Sequence, residues 1–192
     1  MTAAIILASA SPRRVELLKQ IHLVCDAHPV FIDETPRENE QPELYVTRMA
    51  EEKSAACRAQ LGAGRPILAA DTCVVIGQRI LGKPVNYTDA YEMLSLLSEQ
   101  THQVMTAVSL RGRLHSRALS VTQVTFRAIN EAEIDAYWRT GEPLDKAGSY
   151  AIQGQGAIFV ASLQGSFSGV VGLPLFETAQ LLAKEGINTQ YE

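Results

Sequence analysis

The chain is poor in cysteine. Cys25, Cys57 and Cys73 show neither CxxC spacing nor a zinc pattern, which excludes a disulfide scaffold and a thiolate metal centre. So sparse a set fits a reducing cytosol, and a cytoplasmic protein is expected. No apolar run is long enough to cross a bilayer, so a membrane partner is not expected. Residues 1–10 are apolar, but Arg13 and Arg14 follow the apolar stretch instead of preceding it, the wrong polarity for a secretion signal. Positive charge is not in excess: 17 Lys and Arg face 21 Asp and Glu, for a net charge of −4. That balance argues against a general nucleic-acid binder. A small anionic substrate is still allowed, because only the local field at a site matters. There is no internal repeat, low-complexity tract, GxxxxGK[ST], HExxH or GxSxG. His22, His28, His102 and His115 form no ligand cluster.

The 192 residues are 46% hydrophobic and 20% charged. They suit one packed domain, 1–192, with room for two lobes around a cleft. Residues 4–8 read as a buried strand. Ser11-Pro12 then starts a helix, with Ser as N-cap and Pro at the first helical position, and Val15, Leu17, Leu18 and Ile21 form its apolar face. Residues 22–31 read as extended and 32–41 as a loop. A long helix follows over 43–61, with Leu44, Val46, Met49, Ala50 and Cys57 partly facing the core and Gly62 and Gly64 ending it. Residues 67–70 and 73–76 read as two strands broken by Asp71-Thr72. Thr88 is expected to cap a helix running to Leu97. Two β-rich runs around Arg111-Gly112-Arg113 predict a hairpin. Asn130 and Glu133 resemble a capping box for a helix over 131–139. A strand over 157–163 and an amphipathic helix over 173–185 complete the reading. The mixture predicts an α/β or α+β fold.

Ser9-Ala10-Ser11-Pro12-Arg13-Arg14 ends a strand and opens a helix with two arginines in its first turn. A helix N-terminus already carries partial positive charge, so two cations there conflict with the macrodipole unless an anion binds. With an anion, backbone N–H groups, two hydroxyls and two guanidinium groups converge. Asp71 interrupts an apolar segment, so it is either paired in the core or placed at the mouth of a site. Asp33-Glu34-Thr35 is a second acidic spot, equally compatible with a surface turn. By spacing alone Lys53 reads as an exposed i,i+4 partner of its helix, while Lys83 and Lys146 lie in loops. Ala151-Ile152-Gln153-Gly154-Gln155-Gly156 precedes a strand, so it is not a dinucleotide fingerprint and reads as a loop approaching a ligand closely.

Taken together, Ser9-Ala10-Ser11-Pro12-Arg13-Arg14, Asp33-Glu34-Thr35, Glu52-Lys53, Ala70-Asp71-Thr72, Gly82-Lys83-Pro84, Asp145-Lys146-Ala147-Gly148 and Ile152-Gln153-Gly154 resemble the successive blocks of the Maf nucleotide pyrophosphatases, end to end. The resemblance implies an elongated, two-lobed α/β fold with a central mixed sheet and cleft, similar to inosine-triphosphate pyrophosphatases. It implies hydrolysis of a nucleoside triphosphate between the α and β phosphates, a divalent metal (Mg²⁺ or Mn²⁺) and a homodimer. By that likeness Asp71 is the catalytic base, and Glu34 and Asp71 hold the metal. Ser9, Arg14, Lys53 and Lys83 line the phosphate region. Arg13, Thr72 and Gln153 resemble the branch acting on dTTP and UTP; another branch, acting on 7-methyl-GTP, has Trp, Gln and Glu there. A neutral Gln offers a donor and an acceptor that can match the N3–H and carbonyl of uracil or thymine. Modified pyrimidine nucleotides, and a nucleotide-binding regulator of cell division and septum formation, are the other readings the family allows. An exposed aspartate has a pKa near ~3.9, and cationic neighbours are expected to push Asp71 lower still.

Overall fold

The computed structural model describes residues 3–62 and 64–189. Met1, Thr2 and the last three residues of the expected 1–192 domain lie outside them. Among the described residues are seven strands and six α-helices: β1 (Ile5–Leu7), α1 (Pro12–Gln20), β2 (Cys25–Ala27), α2 (Pro42–Leu61), β3 (Ile67–Ile76), β4 (Arg79–Leu81), α3 (Tyr87–Leu97), β5 (Thr101–Arg111), β6 (His115–Phe126), α4 (Glu131–Arg139), β7 (Val160–Gln164), α5 (Phe167–Val171) and α6 (Leu175–Lys184). One mixed sheet runs in the order β2-β1-β3-β5-β6-β7, with β4 also on β3. The pairings β1–β2 and β1–β3 are parallel and the rest antiparallel.

The expected break at Asp71-Thr72 does not exist. β3 is one ten-residue strand, paired with β5 in continuous register from Ile67↔Arg111 to Val75↔Gln103. Its other edge is divided: β1 pairs with Ile67 and Leu68, and β4 with Val74 to Ile76. Asp71 and Thr72 fall in the gap between those two neighbours. A gap where the neighbouring strand changes is where open α/β sheets place their ligands.

Successive residues of a strand point to opposite faces. On one face Ile67, Ala69, Cys73 and Val75 pack under α2, against Val46, Ala50 and Cys57. On the other, Leu68 and Ala70 join Leu17, Leu18, Leu181 and Leu182 of α1 and α6. Further along that second face, Val74 and Val104 join Met93, Leu94, Leu97 and Ile134 of α3 and α4. Between these two apolar clusters runs a polar seam, Thr72↔Thr106↔Ser120 in cross-strand register. The short helix α5 lies over it.

The local signals match in part. Pro12 stands in the first turn of α1, Gly62 ends α2 at φ 72, and Asn130 and Glu133 form the capping box of α4. Asn86, not Thr88, caps α3, its side chain accepting from the Asp89 N–H. Ser11 occupies the N-cap position without a side-chain cap bond. Leu44 is exposed, because it lies off the Val46–Ala50–Cys57 stripe. The segment 22–31 holds only the three-residue β2. Residues 155–159 form a 3₁₀ turn before β7, so the strand expected from 157 begins at Val160; the helix expected over 173–185 is α6, and α5, which the sequence did not suggest, precedes it and ends at Gly172 (φ 127).

Candidate active site

A cleft of about 890 Å³ opens at the gap in the β3 edge. Ser9, Arg13, Arg14, Glu34, Lys53, Asp71, Thr72, Lys83 and Gln153 all line it. The cleft wraps round the sheet edge, so it reaches both faces of β3. Asp71 therefore meets groups from the α2 side, and Thr72 meets groups from the α1 and α5 side.

On the α2 side, Lys53 is not an exposed partner of its own helix. It lies on the buried stripe of α2, between Ala50 and Cys57, and its side chain is only 12% exposed. Its ammonium donates to Asp71 Oδ1 at 2.5 Å and lies 2.6 Å from Glu34 Oε1. One cation thus holds together a carboxylate from β3 and another from the 32–41 loop. The loop is itself pinned: Tyr45 Oη donates to the Glu34 carbonyl at 2.9 Å, and Arg48 donates to the Thr35 carbonyl at 3.2 Å. Asp33 does not reach the site; its carboxylate accepts from the Thr35 N–H at 2.9 Å and shapes the turn. Glu52 faces outward, towards Arg37 and Arg48.

Burial raises the Asp71 pKa above its ordinary value, even though Lys53 and Arg14 oppose the shift. This reverses the expectation of a lowered pKa: Asp71 is a buried group, and desolvation disfavours its charged form. Burial acts on Glu34 in the same sense, but the hydrogen bond and charge of Lys53, together with Lys83 and Arg14, outweigh it and leave Glu34 below its ordinary value. Cys73 is pushed up to about 12 by burial, with Asp71 adding to the shift, so its thiol is inert.

On the opposite side, Arg14 Nε donates to the Gly172 carbonyl at 2.7 Å. Its Nη1 donates to Ser9 Oγ at 3.1 Å and its Nη2 to Thr72 Oγ1 at 3.4 Å. The conflict between a cation and a helix N-terminus is thus eased in part by acceptors from the protein, and not by an anion alone. Burial lowers the Arg14 pKa from its ordinary value, with Asp71 opposing the change. Arg13 points elsewhere, 3.9 Å from Asp145 across the cleft. Lys83 stands at the rim, 3.9 Å from Glu34 Oε2, and Gln153 is exposed there.

The 82–83 and 146–153 loops are joined where the Gly148 N–H donates to the Gly82 carbonyl at 3.0 Å. Gly148 and Ser149 both have left-handed backbones, φ 68 and 63. Tyr45, Lys146, Tyr150 and a 93%-exposed Phe31 also line the cleft. His102, placed outside any ligand cluster by the sequence, is buried with its Nε2 2.9 Å from Tyr150 Oη, and burial holds its pKa down to about 4.

The family model described as Maf, Maf-like protein, matches residues 4–185. The chain belongs to the Maf family. Among similar proteins, the dTTP/UTP pyrophosphatase of Methylococcus capsulatus is 54% identical over 186 residues, covering 96% of this chain and 92% of the relative. The dTTP/UTP pyrophosphatase of Pseudoalteromonas atlantica is 50% identical over 184 residues, covering 94% and 96%. Among solved structures, a HAM1 protein from Coxiella burnetii shares the fold at TM-score 0.53 and 18% identity, covering 94% of this chain and 98% of that one. The resemblance named Lys53, but the i,i+4 spacing did not place it inward, and Tyr45 was not named at all. Lys53 recurs at helical spacing among Val46, Ala50 and Cys57, a signal that could have placed it inward. Tyr45 carries no such signal, because eight residues before Lys53 it lies about 12 Å away along the helix.

Proposed function

We propose that this Maf protein hydrolyses dTTP and UTP to the monophosphate and pyrophosphate. The observation that carries the reading is Lys53 bridging Glu34 and Asp71 inside a cleft that Arg14 shares. The volume of about 890 Å³ lies within the range of small-molecule sites. Relatives at about half identity, named dTTP/UTP pyrophosphatases, support the substrate.

No group of three or more His, Cys, Asp or Glu among the described residues could hold a metal ion by itself. The donors nevertheless fit Mg²⁺ or Mn²⁺, because such ions commonly take one or two carboxylates and complete their shell with water and substrate phosphate. Glu34 and Asp71 would hold the ion. When bound, it acidifies a water and screens the phosphates.

Asp71 takes the proton from the water that attacks the α-phosphorus. The new O–P bond forms as the bond between that phosphorus and the bridging oxygen to the β-phosphorus breaks, and the electron pair leaves with pyrophosphate. The raised Asp71 pKa brings the base closer to the working pH, which favours proton transfer. Arg14, Lys53 and Lys83 stabilise the charge that builds on the leaving group. Gln153 and Arg13, on the rim, read the base.

Pyrophosphate release from dTTP, UTP, CTP, GTP, 7-methyl-GTP, 5-methyl-UTP and pseudo-UTP, with and without metal, tests the reading. Turnover of dTTP and UTP with metal is expected, and Asp71→Asn is expected to lose about 10²–10⁴ in kcat. Near-parental turnover in Asp71→Asn removes the base assignment. A preference for 7-methyl-GTP, or no turnover of any nucleotide, removes the substrate assignment.

A further inference from the structure

Thr106 lies in the middle of β5, directly across from Thr72 in the β3–β5 register, and is completely buried. Its hydroxyl donates to the Gly169 carbonyl at 2.7 Å. A carbonyl only accepts, and a threonine hydroxyl has a single proton. That proton is therefore committed. In the 2.9 Å contact between Thr72 Oγ1 and Thr106 Oγ1, the donor must then be Thr72. With its own proton turned towards Thr106, Thr72 meets Arg14 Nη2 as an acceptor. The hydrogen bonds thus run one way, from Arg14 through Thr72 and Thr106 to Gly169. Three residues beyond Gly169, the Gly172 carbonyl accepts from Arg14 Nε. Both supports of Arg14 on this face therefore end on α5 and the glycine that follows it. A guanidinium carries five N–H donors. Gly172, Ser9 and Thr72 engage three, and the remaining two are available to a ligand.

We propose that Thr106 is a positioning residue for the phosphate clamp: by fixing the direction of the Thr72 hydroxyl, it holds Arg14 so that its uncommitted N–H groups serve the triphosphate. The proposal rests on the nucleotide reading above. Thr106 touches no substrate and acts through Thr72 and Arg14. Valine has the same branched shape without the proton. In Thr106→Val the Thr72 hydroxyl is free to turn towards Arg14, where donor would face donor, and the Gly169 carbonyl loses its partner.

The experiment compares Thr106→Val and Thr106→Ser in the parent and in an Arg14→Lys background. It reads pyrophosphate affinity by calorimetry, and kcat/KM with dTTP and UTP. Thr106→Val is expected to weaken pyrophosphate binding and lower kcat/KM about tenfold, the effect of one hydrogen bond to a charged group. Thr106→Ser, which keeps the proton, should stay within about twofold. In the Arg14→Lys background, Thr106→Val should cost nothing more, which a general packing defect would not reproduce. A tenfold loss that persists without Arg14, a serine variant as impaired as the valine variant, or parental pyrophosphate binding in Thr106→Val each overturns the proposal. So does a parent protein that binds no pyrophosphate. If Thr106→Val does not fold, Thr106→Ala is measured by the same criteria. If the parent binds pyrophosphate but hydrolyses neither dTTP nor UTP, the nucleotide reading alone fails, and the pyrophosphate titrations still decide the role of Thr106.

Discussion

Lys53→Met removes the cation that, among the described residues, touches both carboxylates of the site, while keeping most of the buried stem. Both the Lys53 and Asp71 side chains are only 12% exposed. Breaking a buried ion pair by deleting one partner costs about 3–5 kcal/mol if the other stays charged. Asp71 has an escape, because it can take up a proton. At about 1.4 kcal/mol per pKa unit, protonation caps the cost well below that range once the pH falls. The sign follows from the raised folded pKa of Asp71. A carboxyl whose folded pKa lies above its unfolded value stabilises the fold below the unfolded value, and that contribution fades as the pH rises through the folded one. Losing Lys53 raises the folded value further. The defect should therefore be about 2–4 kcal/mol at pH 8 and smaller at pH 5. In melting temperature that is about 5–12 °C at the higher pH for a chain of this size. Melting curves of parent and variant across pH 5–8 measure it. Added Mg²⁺ or Mn²⁺ should recover part of the loss at pH 8, since a cation between Glu34 and Asp71 replaces the ammonium. An equal loss at both pH values would refute the reasoning and reduce Lys53 to a packing residue.

Gly148→Ala should cost about 2–4 kcal/mol, because a Cβ at φ +68 would lie 2.9 Å from both methyl groups of Val74, adding overlap to backbone strain. Urea unfolding checks the stability. A rise in KM should accompany it, since the Gly148 N–H joins the loops carrying Lys83 and Lys146. Arg48→Met should loosen the loop that presents Glu34, because Arg48 donates to both Glu40 oxygens at 2.6 Å and to the Thr35 carbonyl. Arg48 holds Glu40 down to about 2 from 4.5, so the pair's contribution is complete above pH 4.5 and is lost as the pH falls towards 2. The variant's acid-unfolding curve should be shallower over that interval, and a curve parallel to the parent's would count against the pairing.

Much of the fold was legible in the sequence because it rests on local rules. The Pro12 helix start, the Gly62 stop and the Asn130–Glu133 capping box each depend on neighbours in the chain, and each stands in the structure. The misreadings arose where distant contacts decide. Asp71-Thr72 looked like a break between strands because two polar residues interrupt an apolar run. β5 pairs straight through them, however, and their side chains leave the sheet on opposite faces. Lys53 looked exposed because its sequence neighbours Glu51 and Glu52 could satisfy it, whereas its real partners lie 18 residues ahead and in a loop before the helix.

By itself the sequence determined most element types, the approximate span of α2 and the hairpin, while the residues of the cleft were named through the resemblance to the Maf family. Helical and strand periodicity, caps and turn residues act over a few positions, so one chain read in order contains them. Tertiary structure alone decided that Asp71 is desolvated and its pKa raised, that Arg14 is held by carbonyl and hydroxyl acceptors, and that Thr72 can offer it only a lone pair. Each of these depends on how much water is excluded and on which partner stands across the sheet, quantities that appear only when residues far apart in the chain are brought into contact.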